Sequence, residues 1–168
     1  ITGASSGIGA TYAERFARRG HDLVLVARNK SRLDALAMRL REQHQIAVEV
    51  LQADLTNSAE LPALETRLRH DARSGILINN AGMPQSGSFL DQAPEAIESQ
   101  IALNITALTR LAAAIAPRLA QSGTGSIVNI GSVVGFSPEF GISLYGATKA
   151  YVLFLSQGLA HELSPQGV

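Results

Sequence analysis

Tyr145 and Lys149 stand four residues apart in the segment YGATK. On a helix that spacing puts both side chains on one face, one turn apart. An ammonium beside a phenol favours the phenolate, so the pair is expected to give or take a proton near physiological pH. Ser132 ends the apolar run SIVNIGS, where its hydroxyl can hold a substrate oxygen beside the tyrosine. A tyrosine and a lysine at this spacing are common on helix surfaces; a strand-terminal serine and a glycine-rich opening make the set specific. That opening reads ITGASSGIG and carries Gly3, Gly7 and Gly9 just ahead of a helical stretch. Glycines there let the main chain approach a pyrophosphate, and the helix behind them offers free N–H groups and a positive dipole end. Ser5 and Ser6 add hydroxyl donors, and Ile8 begins the helix.

A second strand end sharpens the ligand. In LVARNKSRL, Ala27 occupies the position where an acid would bond a ribose 2′-hydroxyl, and Arg28 follows it. An arginine there accommodates a 2′-phosphate instead, so the expected cofactor is NADP(H).

The elements that must carry these residues alternate. Short apolar runs at 22–28, 47–54, 75–80 and 126–132 read as strands buried on both faces, with Ile1 and Thr2 the tail of another. Between them, amphipathic stretches at 8–19, 31–43, 59–70, 94–121 and 143–163 read as helices. Strand and helix in alternation imply an α/β fold, a doubly wound parallel sheet with helices on both faces (Rossmann), in one domain spanning 1–168. Ligands of such sheets bind at the carboxyl ends of the strands. The loops after Ile1, Arg28, Asp54, Asn80 and Ile130, which include the Gly/Ser-rich segments 3–9, 82–88 and 131–137, are therefore expected to share one crevice.

Composition excludes several classes. Fourteen Lys and Arg balance fourteen Asp and Glu, so no net field draws the chain to nucleic acid or an anionic membrane. The chain has no cysteine, which removes disulfides, thiolate metal sites and a cysteine nucleophile and fits a cytoplasmic setting. No apolar run was expected to approach the roughly 18 residues of a membrane span; RLAAAIAPRLA comes nearest. The histidines, at 21, 44, 70 and 161, show no metal-ligand spacing.

Together the motifs resemble the short-chain dehydrogenase/reductase family over nearly the whole chain. The matching segments are TGASSGIG, Asp54 in ADLT, NNAG at 79–82, Asn104 in ALNITA, Ser132 in NIGSVVG, and YGATK. The resemblance implies that Gly3, Gly7 and Gly9, with Ser5, Ser6 and Ile8, line the pyrophosphate turn. It implies that Asp54 and Leu55 approach the adenine, and that Asn80, Ala81 and Gly82 lie along the adenosine ribose. Asn79 or Asn80 would also tie adjacent strands together. Tyr145 would be the general acid/base of hydride transfer between NADP(H) and a small carbonyl or alcohol substrate. Lys149 would bond the nicotinamide ribose, and Ser132 would polarise the carbonyl. Asn104 would sit at a break in its long helix and hold a water that links Lys149 to solvent.

Phe136, Phe140 and Leu144 are candidates for an apolar wall of the substrate pocket, with Met83, Pro84 and Phe89 on its border. Val152, Phe154 and Leu155 make the last helix apolar over a broad face, which implies a homodimer or homotetramer. Against the family pattern, most of the first strand and the lid and strands beyond Val168 are missing, so both ends are expected to be cut. The alternative to an enzyme is a non-catalytic dinucleotide-binding regulatory or structural protein of the same fold.

Overall fold

The computed structural model describes residues 1–84 and 88–168; part of the 82–88 segment expected at the crevice thus lies outside the described residues. Among the described residues four parallel strands form: β1 (Leu23–Ala27), β2 (Val48–Gln52), β3 (Ile76–Asn79) and β4 (Ser126–Asn129). β1 pairs with β2 in the register Leu25↔Val50, and β3 with β4 in the register Leu77↔Ile127. Ile1 and Thr2 join the two pairs. Val26 N–H donates to the Ile1 carbonyl at 2.9 Å, and Thr2 N–H donates to the Ile78 carbonyl at 2.9 Å. The order is therefore β2, β1, residues 1–2, β3, β4. From residues 1–2 the chain builds outward to one side through β1 and β2, then crosses to β3 on the other. That reversal is a topological switch point, where such sheets open a crevice at their carboxyl ends.

Six α-helices cover the sheet: α1 (Gly7–Ala17), α2 (Lys30–His44), α3 (Leu61–His70), α4 (Pro94–Ile101), α5 (Leu108–Ser122) and α6 (Ser143–Leu163). Their apolar faces form two cores. Ala13 and Ala17 of α1 join Leu33, Leu36 and Leu40 of α2 against Leu23 and Leu25. Leu61, Leu64 and Leu68 of α3 join Leu111, Ile115 and Leu119 of α5 against Leu77. Leu25, Leu33, Leu40, Ile115 and Leu119 have no exposure, and truncating such a side chain to alanine typically destabilises by about 2–5 kcal/mol.

Several expectations change. The strands are shorter than their apolar runs, because Asp54, Asn80 and Ser132 already belong to the loops that follow. β2 is not buried on both faces: Glu49 and Gln52 are exposed and Val48 alone is buried. The stretch 94–121 is two helices joined by a π-helical turn, Ala102–Ala107. Taken as one, Pro94–Ser122 is long and apolar enough to cross a membrane by length and composition, contrary to expectation, with mean hydropathy 1.2 and half of that window buried. In this fold it serves as a core helix. On α6, Val152 is 1% exposed and Phe154 79%, so the two point opposite ways and do not form one apolar row.

A recess of about 530 Å³ opens between β1 and β3 at the amino ends of the strands, lined by Leu23, Val24, Gly75 and Leu77. It lies at the opposite end of the sheet from Ser132, Tyr145 and Lys149.

Candidate active site

The glycine loop is pinned at the switch point by two reciprocal clamps. The Thr2 hydroxyl accepts from Asn80 N–H and Ala81 N–H, each at 3.0 Å, and donates to the Ile78 carbonyl at 3.3 Å. In return Asn80 Nδ2 donates to the Thr2 carbonyl at 3.0 Å and to the Gly3 carbonyl at 3.2 Å. The Asn80 amide is thus turned into the loop. Asn79 performs the strand tie: its Nδ2 donates to Asn129 Oδ1 at 3.0 Å and to the Leu108 carbonyl at 3.2 Å. Both asparagines tie neighbours, one on each side of β3.

The glycines divide by role. A Cβ on Gly3 would lie 2.7 Å from Asn80 Nδ2, and one on Gly9 would overlap the Gly3 carbonyl oxygen. A Cβ on Gly7 meets nothing within 4 Å. At Gly3 and Gly9 the protein packs closely on itself, whereas Gly7 has open space beside it. Ser6 takes the N-cap position of α1 with no side-chain capping bond, so the first N–H groups of that helix keep their capacity for an anion. Overpacking at Gly9 costs about 1–3 kcal/mol, so Gly9→Ala should lower the Tm by roughly 3–10 °C for a chain of this size. Gly7→Ala (φ +55) should lose only about 1–2 kcal/mol to left-handed strain yet weaken NADPH binding more. Calorimetry beside a cofactor titration checks both; equal effects in the two variants would contradict the division.

Arg28 lies just past β1 with 70% of its side chain exposed, 3.9 Å from Asp54 Oδ2. Asp54 Oδ1 accepts from Thr56 N–H at 3.0 Å and from its hydroxyl at 2.7 Å. The Thr56 N–H, with its hydroxyl and Arg28, holds the Asp54 carboxyl below its ordinary range against a smaller opposing effect of burial. The Leu55 side chain is 6% exposed and belongs to the core; Ile8 is 56% exposed beside Gly7.

Tyr145 occupies the first turn of α6, with Lys149 Nζ 5.7 Å from its ring centroid. Lys149 is 6% exposed and donates to the Ile130 carbonyl, just past β4, at 2.7 Å. Burial pushes its ammonium pKa down. Ser132 starts the 3-10 turn Val133–Phe136 and accepts from Val134 N–H at 3.4 Å. That turn lies against α6: a Cβ on Gly135 would sit 2.8 Å from the Lys149 carbonyl carbon, and one on Gly146 3.3 Å from the Val134 oxygen. A Cβ on Gly82 would lie 3.3 Å from Asn104 Oδ1 and 3.8 Å from Lys149 Nζ, so the β3 loop, the π turn and α6 meet at that point.

Asn104 sits in the π turn with 1% exposure, at the helix break where the sequence put it. Its amide grips protein: Oδ1 accepts from Met83 N–H at 2.9 Å, and Nδ2 donates to the Met83 carbonyl at 2.9 Å and to Thr148 Oγ1 at 3.1 Å. All three of these contacts are made with protein, across a π turn that shifts the helical hydrogen-bond register. Sequence reasoning missed the roles of Thr2, Gln100 and Thr148, and it read Met83 as a border of the substrate pocket rather than as the backbone partner of the Asn104 amide. The signal for Thr148 was available, as a β-branched hydroxyl directly before the lysine.

A family model described as short chain dehydrogenase matches residues 1–168. Among solved structures, the chain is similar to a short-chain dehydrogenase from Sphingobium yanoikuyae in complex with NADPH. That match has 77% identity and a TM-score of 0.98 over 99% of this chain and 65% of that one. A bulky-bulky ketone specific alcohol dehydrogenase from Comamonas testosteroni matches at 66% identity and a TM-score of 0.98, over 99% of this chain and 67% of that one. An uncharacterized oxidoreductase of Staphylococcus saprophyticus is 37% identical over the whole chain and 72% of its own length. The chain spans 55% of very-long-chain 3-oxoacyl-CoA reductase-B of Danio rerio, at 32% identity.

Proposed function

The chain belongs to the short-chain dehydrogenase family, and from that premise we propose that the protein containing it reduces a ketone carrying two bulky substituents, using NADPH. The observation that carries this reading is the meeting of Tyr145, Lys149 and the Ser132 turn on one side of α6, next to a glycine loop clamped by Asn80. When bound, NADPH supplies hydride to the carbonyl carbon. The residues fit that cofactor: Gly7 and the uncapped start of α1 face open space for a pyrophosphate, and the exposed Arg28 guanidinium suits a 2′-phosphate.

The chain's own side chains then act on the carbonyl oxygen. Negative charge develops there, and the Ser132 hydroxyl donates to it. One donor aimed at developing charge contributes about 3–4 kcal/mol. The Tyr145 hydroxyl gives its proton to the same oxygen. Lys149 stabilises the phenolate left behind, and its burial keeps that attraction poorly screened. The proton is restored through water held at the main chain of the Asn104 turn.

Exposed apolar side chains support the proposed substrate class. Val133 and Phe136, on the turn that starts at Ser132, are 72% and 70% exposed; Phe140 is 59% and Phe89 53% exposed. Apolar side chains on two loops suit two large apolar substituents, in keeping with the specificity of the Comamonas testosteroni enzyme. Tyr151 and Phe154, exposed on α6, are the proposed contacts of a homo-oligomer.

The test is NADPH consumption by the intact protein, at a mass fixed by light scattering, across ketones graded in the size of both substituents. Turnover that rises with the second substituent, in a multimer, is the expected result. Preference for methyl ketones would overturn the substrate class, and no turnover on any carbonyl would overturn the enzyme reading.

A further inference from the structure

The Asn104 amide has one orientation its neighbours allow. Met83 N–H can only donate and the Met83 carbonyl can only accept, so Oδ1 must face the former and Nδ2 the latter, as found. Nδ2 then spends its other hydrogen on Thr148 Oγ1 at 3.1 Å. The Thr148 hydroxyl, having accepted, has its own hydrogen left, and that hydrogen goes to the Tyr145 carbonyl at 2.8 Å. Direction is thus fixed along the whole path, from the Met83 backbone through Asn104 and Thr148 to the backbone of Tyr145. Asn104 and Thr148 are each 1% exposed, so water does not compete.

The path ends in the first turn of α6. Tyr145 lies in the first turn of α6, and the N-cap residue, Ile142, makes no side-chain capping bond. Uncapped first turns fray. The Thr148 hydroxyl reaches back one turn to that segment and ties it to a buried amide on another helix.

We propose that Thr148 is a positioning residue, whose hydroxyl holds the first turn of α6, and with it Tyr145, against the Asn104 turn. The proposal rests on the reading of Tyr145 as proton donor. Thr148→Val keeps shape and removes the hydroxyl. The Met83 carbonyl keeps its second grip, from Gln100 Nε2 at 3.3 Å, so the loss falls on α6 and spares the β3 loop.

The experiment compares Thr148→Val with Thr148→Ser in the intact protein. In Thr148→Val, kcat should fall about tenfold to a hundredfold, as small misplacements of a catalytic group do, with substrate KM nearly unchanged. Amide hydrogen exchange at Gly146, whose N–H donates to the Ile142 carbonyl, with and without NADPH, should be about tenfold faster. Thr148→Ser should restore both kcat and exchange. Unchanged kcat and exchange in a folded Thr148→Val would overturn the proposal, as would a Thr148→Ser that fails to rescue. If Thr148→Val does not fold, Thr148→Ala against Thr148→Ser decides by the same readouts. Should the unaltered protein turn over no ketone, the functional reading fails, and the exchange comparison still decides what Thr148 does.

Discussion

Tyr145→Phe in the intact protein should lower kcat for ketone reduction by about 10²–10⁴-fold, the usual contribution of a positioned general acid, while NADPH binds as before. The substitution removes one oxygen and leaves the ring, so the Lys149 ammonium keeps its seat 5.7 Å from the ring centroid and its bond to the Ile130 carbonyl. Stability and cofactor affinity are therefore expected to hold, which separates chemistry from folding. Steady-state kinetics beside an NADPH fluorescence titration decides it. A variant that retains kcat within a few-fold would remove Tyr145 from the reaction, and the non-catalytic binder would become the better reading.

Arg28→Asp should reverse cofactor preference. The guanidinium stands largely in solvent, with a single distant partner in Asp54, so losing it disturbs little of the fold. A 2′-phosphate carries about −1.5 to −2 charges near neutrality. A hydrogen bond to a charged group contributes about 1.5–3 kcal/mol, and a carboxylate in its place adds repulsion. The same carboxylate can accept from a ribose 2′-hydroxyl. The ratio of kcat/KM for NADPH over NADH should fall by about 10²-fold or more, taking each 1.4 kcal/mol as tenfold. Salt supplies an internal check: because Arg28 is exposed, the KM for NADPH should rise with ionic strength before the substitution and lose that dependence after it. An unchanged ratio would mean that the phosphate is read elsewhere.

Local pattern carried much of the architecture. Apolar runs of four to eight residues and helical stripes follow periods that a sequence displays directly, and each expected stretch between residues 22 and 163 holds a strand or a helix, 94–121 as two helices rather than one. The placing of Tyr145 beside Lys149 was legible for the same reason, since the two are one helical turn apart on α6. What was not legible depends on backbone groups brought together from far along the chain. Nothing in the spelling of residue 80 says that its amide will hold the carbonyls of residues 2 and 3, and backbone acceptors carry no residue code. Gly3 and Gly9 read as places for a ligand, and their close packing against Asn80 and against each other is a second reason for their size that the sequence does not display. The exposure of β2 was hidden because an apolar run does not say which strand will lie at an edge.

Because Thr2 and Asn80 hold each other's segments through four hydrogen bonds, residues 2–9 and 79–83 behave as a single machined part. For anyone recombining related sequences, the two stretches form one unit of inheritance although some seventy positions separate them. A crossover between them brings together halves shaped for different partners, so junctions are better placed outside both.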